Sequence, residues 1–260
     1  MDYRNVNKVE RSETTMWTGI VIVLIILLVY YWYVLRWSQW NTAYVQADSS
    51  EQYQVHREHA DSKAAANLMD EITKRNRSLI SYLEKKYSGE NFRSFDPDKS
   101  NSIDVIGGSN MYYVNPTETD LAASLGNVSD KEDIQERLTQ LIKNYKESDI
   151  REISPLNAQG YTSYTEDKTH LVLCLRKKIP VNGQYPLEDI NIMMFVVIHE
   201  LTHMMNKTWG HPYEFWVLFK FMLQNASEAG VYTPINYRRE PLEYCGMKIT
   251  YNPVFDNSLK

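Results

Sequence analysis

Cysteine is nearly absent. The 260 residues hold two, Cys174 and Cys245, which excludes a disulfide scaffold and a four-cysteine zinc ribbon. Either one disulfide or two buried thiols fits the count, and thiols are the expectation. Positive charge is not in excess: 28 Lys+Arg face 33 Asp+Glu, a net charge of −5. An acidic chain lacks the electrostatic footprint of a general nucleic-acid binder, so no nucleic-acid partner is expected. Internal repeats and low-complexity tracts are missing. Hydrophobic residues make up 43% and charged residues 23%, which rules out a wholly disordered protein.

Charge is absent altogether from Thr14 to Leu35, a stretch of 22 residues whose centre, Gly19 to Val29, is apolar all round. A bilayer core of about 30 Å needs ~20 such residues in a helix. Trp17 lies on one side of this run and Tyr30, Tyr31, Trp32, Tyr33, Trp37 and Trp40 lie on the other, as in an aromatic belt. The expectation is a single transmembrane helix over 14–37, inserted in a lipid bilayer, rather than a cleaved signal peptide. Arg4, Lys8 and Arg11 precede it, and only Arg36 follows before Arg57. The positive-inside rule then places the N-terminus in the cytosol and the rest across the membrane. Sequons at Asn76, Asn127, Asn206 and Asn225 matter only in that orientation.

The remaining chain divides into 38–110, a stalk and amphipathic helix; 111–230, the main domain; and 231–260, an irregular tail, with 1–13 as an N-terminal tail. Gln39 to His59 is polar without a clear period and reads as a stalk or frayed helix. Leu68, Ile72, Leu79, Ile80, Leu83 and Tyr87 form one stripe of a helix over Ala60–Tyr87. Ser88 to Ser109 reads as a loop, and Met111–Val114 as a short strand. Ser129 and Glu132 form a capping box for a helix with apolar face Ile134, Leu138, Leu141, Ile142 and Tyr145. Ser148 to Thr169 is turn-rich, and His170–Arg176 reads as a strand. Helices follow from Leu187 to about Asn206 and from Pro212 to before Gly230. The fold class is α+β, mostly helical with a small sheet.

The chemistry concentrates at His199-Glu-Leu-Thr-His203. Residues four apart on a helix share a face, so His199 and His203 can hold one metal ion, while Glu200 can reach a water beside it. A catalytic zinc takes three protein ligands and keeps one position open. The metzincin pattern fails, because Asn206 and Trp209 stand where it needs Gly and His. The third ligand is His211, after a Trp209-Gly210 reversal and before a helix start, or else Glu228. The cofactor implied is one Zn2+, with Glu200 as general base. Phe215, Trp216 and Phe219 share a helical face and read as core.

His199-Glu-Leu-Thr-His203 followed by Gly210-His-Pro-Tyr-Glu-Phe-Trp216 resembles the WLM/SprT-like zincin metallopeptidases, over about Leu156 to Leu223. Tyr237-Arg-Arg-Glu-Pro241 and Tyr244-Cys-Gly-Met-Lys248 resemble membrane-anchored versions encoded by large DNA viruses. The resemblance implies a zincin-like domain hydrolysing a protein or peptide substrate. It also implies an edge strand at His170–Arg176 that aligns extended substrate near Leu173, Cys174 and Leu175. An oxyanion-stabilising side chain is not identified; Tyr213 and Tyr244 have the donor chemistry. The expected function is that of a membrane-anchored zinc metallopeptidase of a virion or a host internal membrane. The alternative is a structural membrane protein with a protease-like fold, such as a partner of viral coat proteins. Cellular relatives that cut DNA-crosslinked proteins carry nucleic-acid-binding segments, and an acidic chain argues against that substrate.

Overall fold

The computed structural model describes residues 16–32, 41–57, 59–87, 131–153 and 162–259. Two units are distinct, Met1–Thr42 and Ala43–Lys260. In the first, helix α1 covers residues 16–32. Among the described residues no helix is long and apolar enough to cross a membrane. This overturns the single-pass transmembrane helix expected over 14–37, the membrane localisation, and the orientation read from its flanking charges. Positions 14–15 and 33–37 of that expected span lie outside the described residues.

The second unit is α+β. Its five-stranded sheet runs in the order β1-β2-β3-β5-β4, with β1 Thr42–Gln46, β2 Gln52–His56, β3 Ile150–Glu152, β4 Tyr164–Glu166 and β5 His170–Leu173. β2 pairs parallel to β3, and β3 parallel to β5. β4 pairs antiparallel to β5, Thr165 opposite Leu171, and so forms an outer edge of the sheet. The expected stalk is therefore sheet: Tyr53 and Val55 alternate inward from a mostly polar strand. The turn-rich stretch holds β3 and β4, outside the expected strand set.

Helices α2 (Ser62–Tyr87), α3 (Lys131–Asn144), α4 (Ile190–Met205) and α5 (Tyr213–Glu228) follow the expected positions closely. Ser129 of the expected capping box, the 88–109 loop and the strand at 111–114 lie outside the described residues. α4 has no polar face: Ile192 through Thr202 are all buried, the pattern of a helix enclosed on every side. It starts where Asp189 accepts the Asn191 backbone N–H at 2.8 Å, an N-cap bond. α4 packs against α2, α3 and α5, and this helical layer against the sheet is the core.

The tail is more ordered than expected. β6 (Leu242–Tyr244) and β7 (Met247–Ile249) form a hairpin, and Tyr237, Tyr244, Ile249 and Leu259 are buried. Lys220, itself buried, donates to the Asp256 and Leu259 carbonyls at 2.8 and 3.1 Å. The two cysteines are joined in a disulfide with a Cα–Cα distance of 6.2 Å, which corrects the expectation of free thiols. It bridges 71 residues of chain and fastens the hairpin turn beside β5. The side chains of Asn76, Asn206 and Asn225 are buried, which leaves those sequons closed to a glycan; Asn127 lies outside the described residues.

Candidate metal centre

α4 places His199 and His203 one turn apart, and a short loop returns His211 to them. Gly210, with φ +76°, makes that reversal in a left-handed conformation that glycine adopts freely. The Nε2 atoms lie 3.2 Å (His199–His203), 3.1 Å (His203–His211) and 2.9 Å (His199–His211) apart. The ring centroids are farther apart, at 4.9, 4.7 and 4.9 Å. The rings therefore converge through their Nε2 edges. Three such nitrogens cannot all satisfy one another, since each N–H or lone pair is aimed at the same point. A tetrahedral ion bound at 2.0–2.1 Å separates its ligand nitrogens by about 3.3 Å. The observed spacings are close to that, and the donor set of three imidazoles suits zinc.

Burial pushes the His199 pKa well below the ordinary imidazole range, and the neighbouring His203 and His211 lower it further. His203 is brought down to about 3 by burial, with His211 and Lys168 contributing. His211 is lowered by burial. All three are thus neutral at physiological pH, the state a metal ligand needs. Phe215 contacts every ring, stacking on His203 at 4.4 Å and meeting His199 and His211 edge-on at 4.8 and 4.6 Å. Phe219 meets His199 at 5.1 Å. The aromatic stripe read as core is core, and it also fixes the imidazole planes.

Glu200 is 5% exposed. Thr165 of β4 donates its hydroxyl to Glu200 Oε2 at 2.8 Å. Burial raises the Glu200 carboxyl to about 7, against the lowering effect of that bond. The buried His199 Nδ1 has no hydrogen-bond partner among the described residues, so packing rather than a carboxylate orients this ring.

Glu228 is elsewhere. It takes hydrogen bonds from Tyr82 at 2.6 Å and Lys86 at 2.5 Å at the far end of α5, which leaves His211 as the third member of the cluster. Leu173, Cys174 and Leu175 are fully buried and β5 is flanked by β3 and β4. The expected substrate strand is therefore interior, and among the described residues the edge strand near the site is β4. Tyr244 is buried, donating to the Cys174 carbonyl at 2.9 Å, and Tyr213 donates to the Ser258 carbonyl at 3.3 Å. Both oxyanion candidates are engaged in packing the tail. Thr165 was missed because nothing marks it within a turn-rich stretch. Arg137 could have been found: it falls at i+3 from Ile134 on the apolar face of α3, where a charge needs a partner.

Over 90 residues, the chain is 38% identical to an uncharacterized protein of Acanthamoeba polyphaga mimivirus, covering 34% of this chain and 44% of that protein. Over 74 residues it is 34% identical to an uncharacterized protein of Invertebrate iridescent virus 6, covering 28% and 40%. The match thus spans less than half the length of these curated relatives. No model of a known protein family matches the chain, and no solved structure does. The similar proteins come from large DNA viruses.

Proposed function

We propose that this chain is a zinc metallopeptidase of the zincin kind, hydrolysing peptide bonds with Glu200 as general base. The observation that carries the reading is the convergence of three imidazole Nε2 atoms within 3.2 Å of one another, next to a buried carboxylate. His199, His203 and His211 would hold the ion. Bound there, zinc supplies Lewis acidity, bringing the pKa of a water toward 7 and polarising a carbonyl.

Glu200 sits beside the cluster on the next face of α4, held by the Thr165 hydroxyl. It accepts the proton of the attacking water and returns it to the leaving amine. β4 supports the substrate reading: an edge strand offers backbone N–H and C=O groups to an extended peptide by strand addition. Phe215 and Phe219 close the site from behind and exclude water on that side, which strengthens the electrostatic interactions in front.

The test is a cleavage-site profile against a mixed peptide library, wild type compared with Glu200→Gln, both zinc-loaded. Glutamine keeps the shape and loses the basic oxygen. Cleavage by wild type only is expected. Equal cleavage by both contradicts the role of Glu200, and no cleavage by either favours a structural role for the zincin-like site.

A further inference from the structure

Polar side chains from two other elements grip the loop that joins α4 to α5 and carries His211. Arg137 of α3, 2% exposed, spreads its guanidinium over three partners. Nε donates to Asp133 Oδ2 at 2.5 Å and Nη1 to Asn206 Oδ1 at 3.3 Å, while Nη2 pairs with the Glu214 carboxylate. Asn206 directly follows α4, and Glu214 lies in the first turn of α5. One planar cation thus ties together both ends of the loop. Lys168 grips its near side, donating Nζ to the carbonyls of Asn206 at 2.6 Å, Thr208 at 3.1 Å and Lys207 at 3.4 Å. The same ammonium lies 4.8 Å from the Trp209 ring centroid, a cation–π distance.

We propose that Arg137 and Lys168 are positioning residues for His211, a two-point clamp that sets the metal affinity of the site. The proposal rests on the zinc reading above. Its physical basis is the contrast between the ligands. His199 and His203 are fixed by a buried helix, whereas His211 sits on a loop whose reversal passes through a glycine. Such a loop loses conformational entropy when its imidazole is held in place, and every contact that orders it beforehand spares that cost at binding.

Arginine suits its place because a rigid fork can bond three acceptors at once. Lysine suits its own because three carbonyls at a helix C-terminus present concentrated negative charge. Lys168 also occupies the turn between β4 and β5, where Asp167 and Lys168 have φ of 51° and 57°. Both are left-handed, as in a type I′ hairpin. A single hairpin therefore holds Glu200 through Thr165 and the His211 loop through Lys168.

The experiment measures zinc affinity by chelator competition, together with amide hydrogen exchange over residues 206–212 in metal-free protein. The variants are Arg137→Lys, which keeps the charge and loses the fork, and Lys168→Met. Lys86→Met serves as a control: it removes contacts to Asn225 and Glu228 at the other end of α5 and should cost stability without touching the loop.

Both clamp variants should bind zinc about 10–100-fold more weakly, the range for residues that support metal ligands. Both should also show loop exchange faster by about tenfold, with α4 unchanged. The control should match wild type in both readouts. Wild-type affinity and exchange in both clamp variants overturn the proposal. Faster loop exchange with unchanged affinity overturns the link to the metal. If wild type itself binds no zinc, the zinc reading fails, and the exchange data alone then decide whether the clamp orders the loop.

Discussion

Two buried arginines organise this molecule, and their surroundings differ. Arg176, 1% exposed, donates Nε to Glu152 at 2.8 Å and Nη1 to Asp61 at 2.7 Å and to the Tyr185 carbonyl at 3.1 Å. Glu152 in turn accepts the His56 backbone N–H at 2.8 Å. This cluster staples β2, β3, the start of α2 and the segment after β5. Arg137 has the same chemistry, but its partners flank the histidine loop. The same residue type thus serves two ends. At one it joins elements outside the histidine cluster, and at the other it joins elements that carry the candidate ligands. A buried ion pair is therefore not evidence of function by itself; what its partners hold decides.

The widest split between the two ends comes from His203→Ala. Zinc affinity should fall by more than the ~100-fold that a supporting residue commands, while the fold, centred on the buried length of α4, persists. Chelator competition and circular dichroism measure both. Arg176→Met should do the reverse: it leaves buried Glu152 without its cation and costs about 3–5 kcal/mol of stability. Zinc affinity of the folded fraction should match wild type. Weakened zinc binding there would join the two clusters and blur the contrast. Replacing both cysteines by serine should lower stability by about 2–4 kcal/mol, read as a lower thermal midpoint under oxidising conditions, with no change when wild type is already reduced.

The smallest effect concerns pH. Burial raises the Asp133 carboxyl, but hydrogen bonds from Lys207 and Arg137 outweigh it, and the pKa lies below the ordinary 3.8. A carboxylate with a lowered folded-state pKa contributes stability above its unfolded value, and that contribution fades as pH falls through the folded one. Asp133→Asn should therefore be destabilising at pH 7, and its difference from wild type should shrink as pH falls from the ordinary 3.8 through the lower folded-state pKa. Urea denaturation across that range checks the sign.

The candidate site was legible because its signal is local. His199, Glu200 and His203 share one helical spacing, and His211 follows a glycine reversal within eight residues. The long helices were legible from apolar periodicity, as with Leu79 and Leu83 on α2. The sheet was not. β2 and β3 are short, and an inward position of β3 is taken by Glu152, whose charge hides the alternation that marks a strand. Its partner Arg176 lies 24 residues away, and the Cys174–Cys245 bond spans 71. Such pairings are fixed by tertiary contact and leave no periodic trace. At α1, composition suggested a membrane span, whereas among the described residues no helix is long and apolar enough to make one.

The claim that the three histidines form a zinc site is tested most directly by zinc-edge X-ray absorption on the protein loaded with one equivalent of zinc. The account predicts three imidazole nitrogens at about 2.0–2.1 Å and a further light-atom ligand, with one imidazole lost in His211→Ala. Sulfur in the coordination sphere, or an unchanged spectrum in His211→Ala, contradicts it.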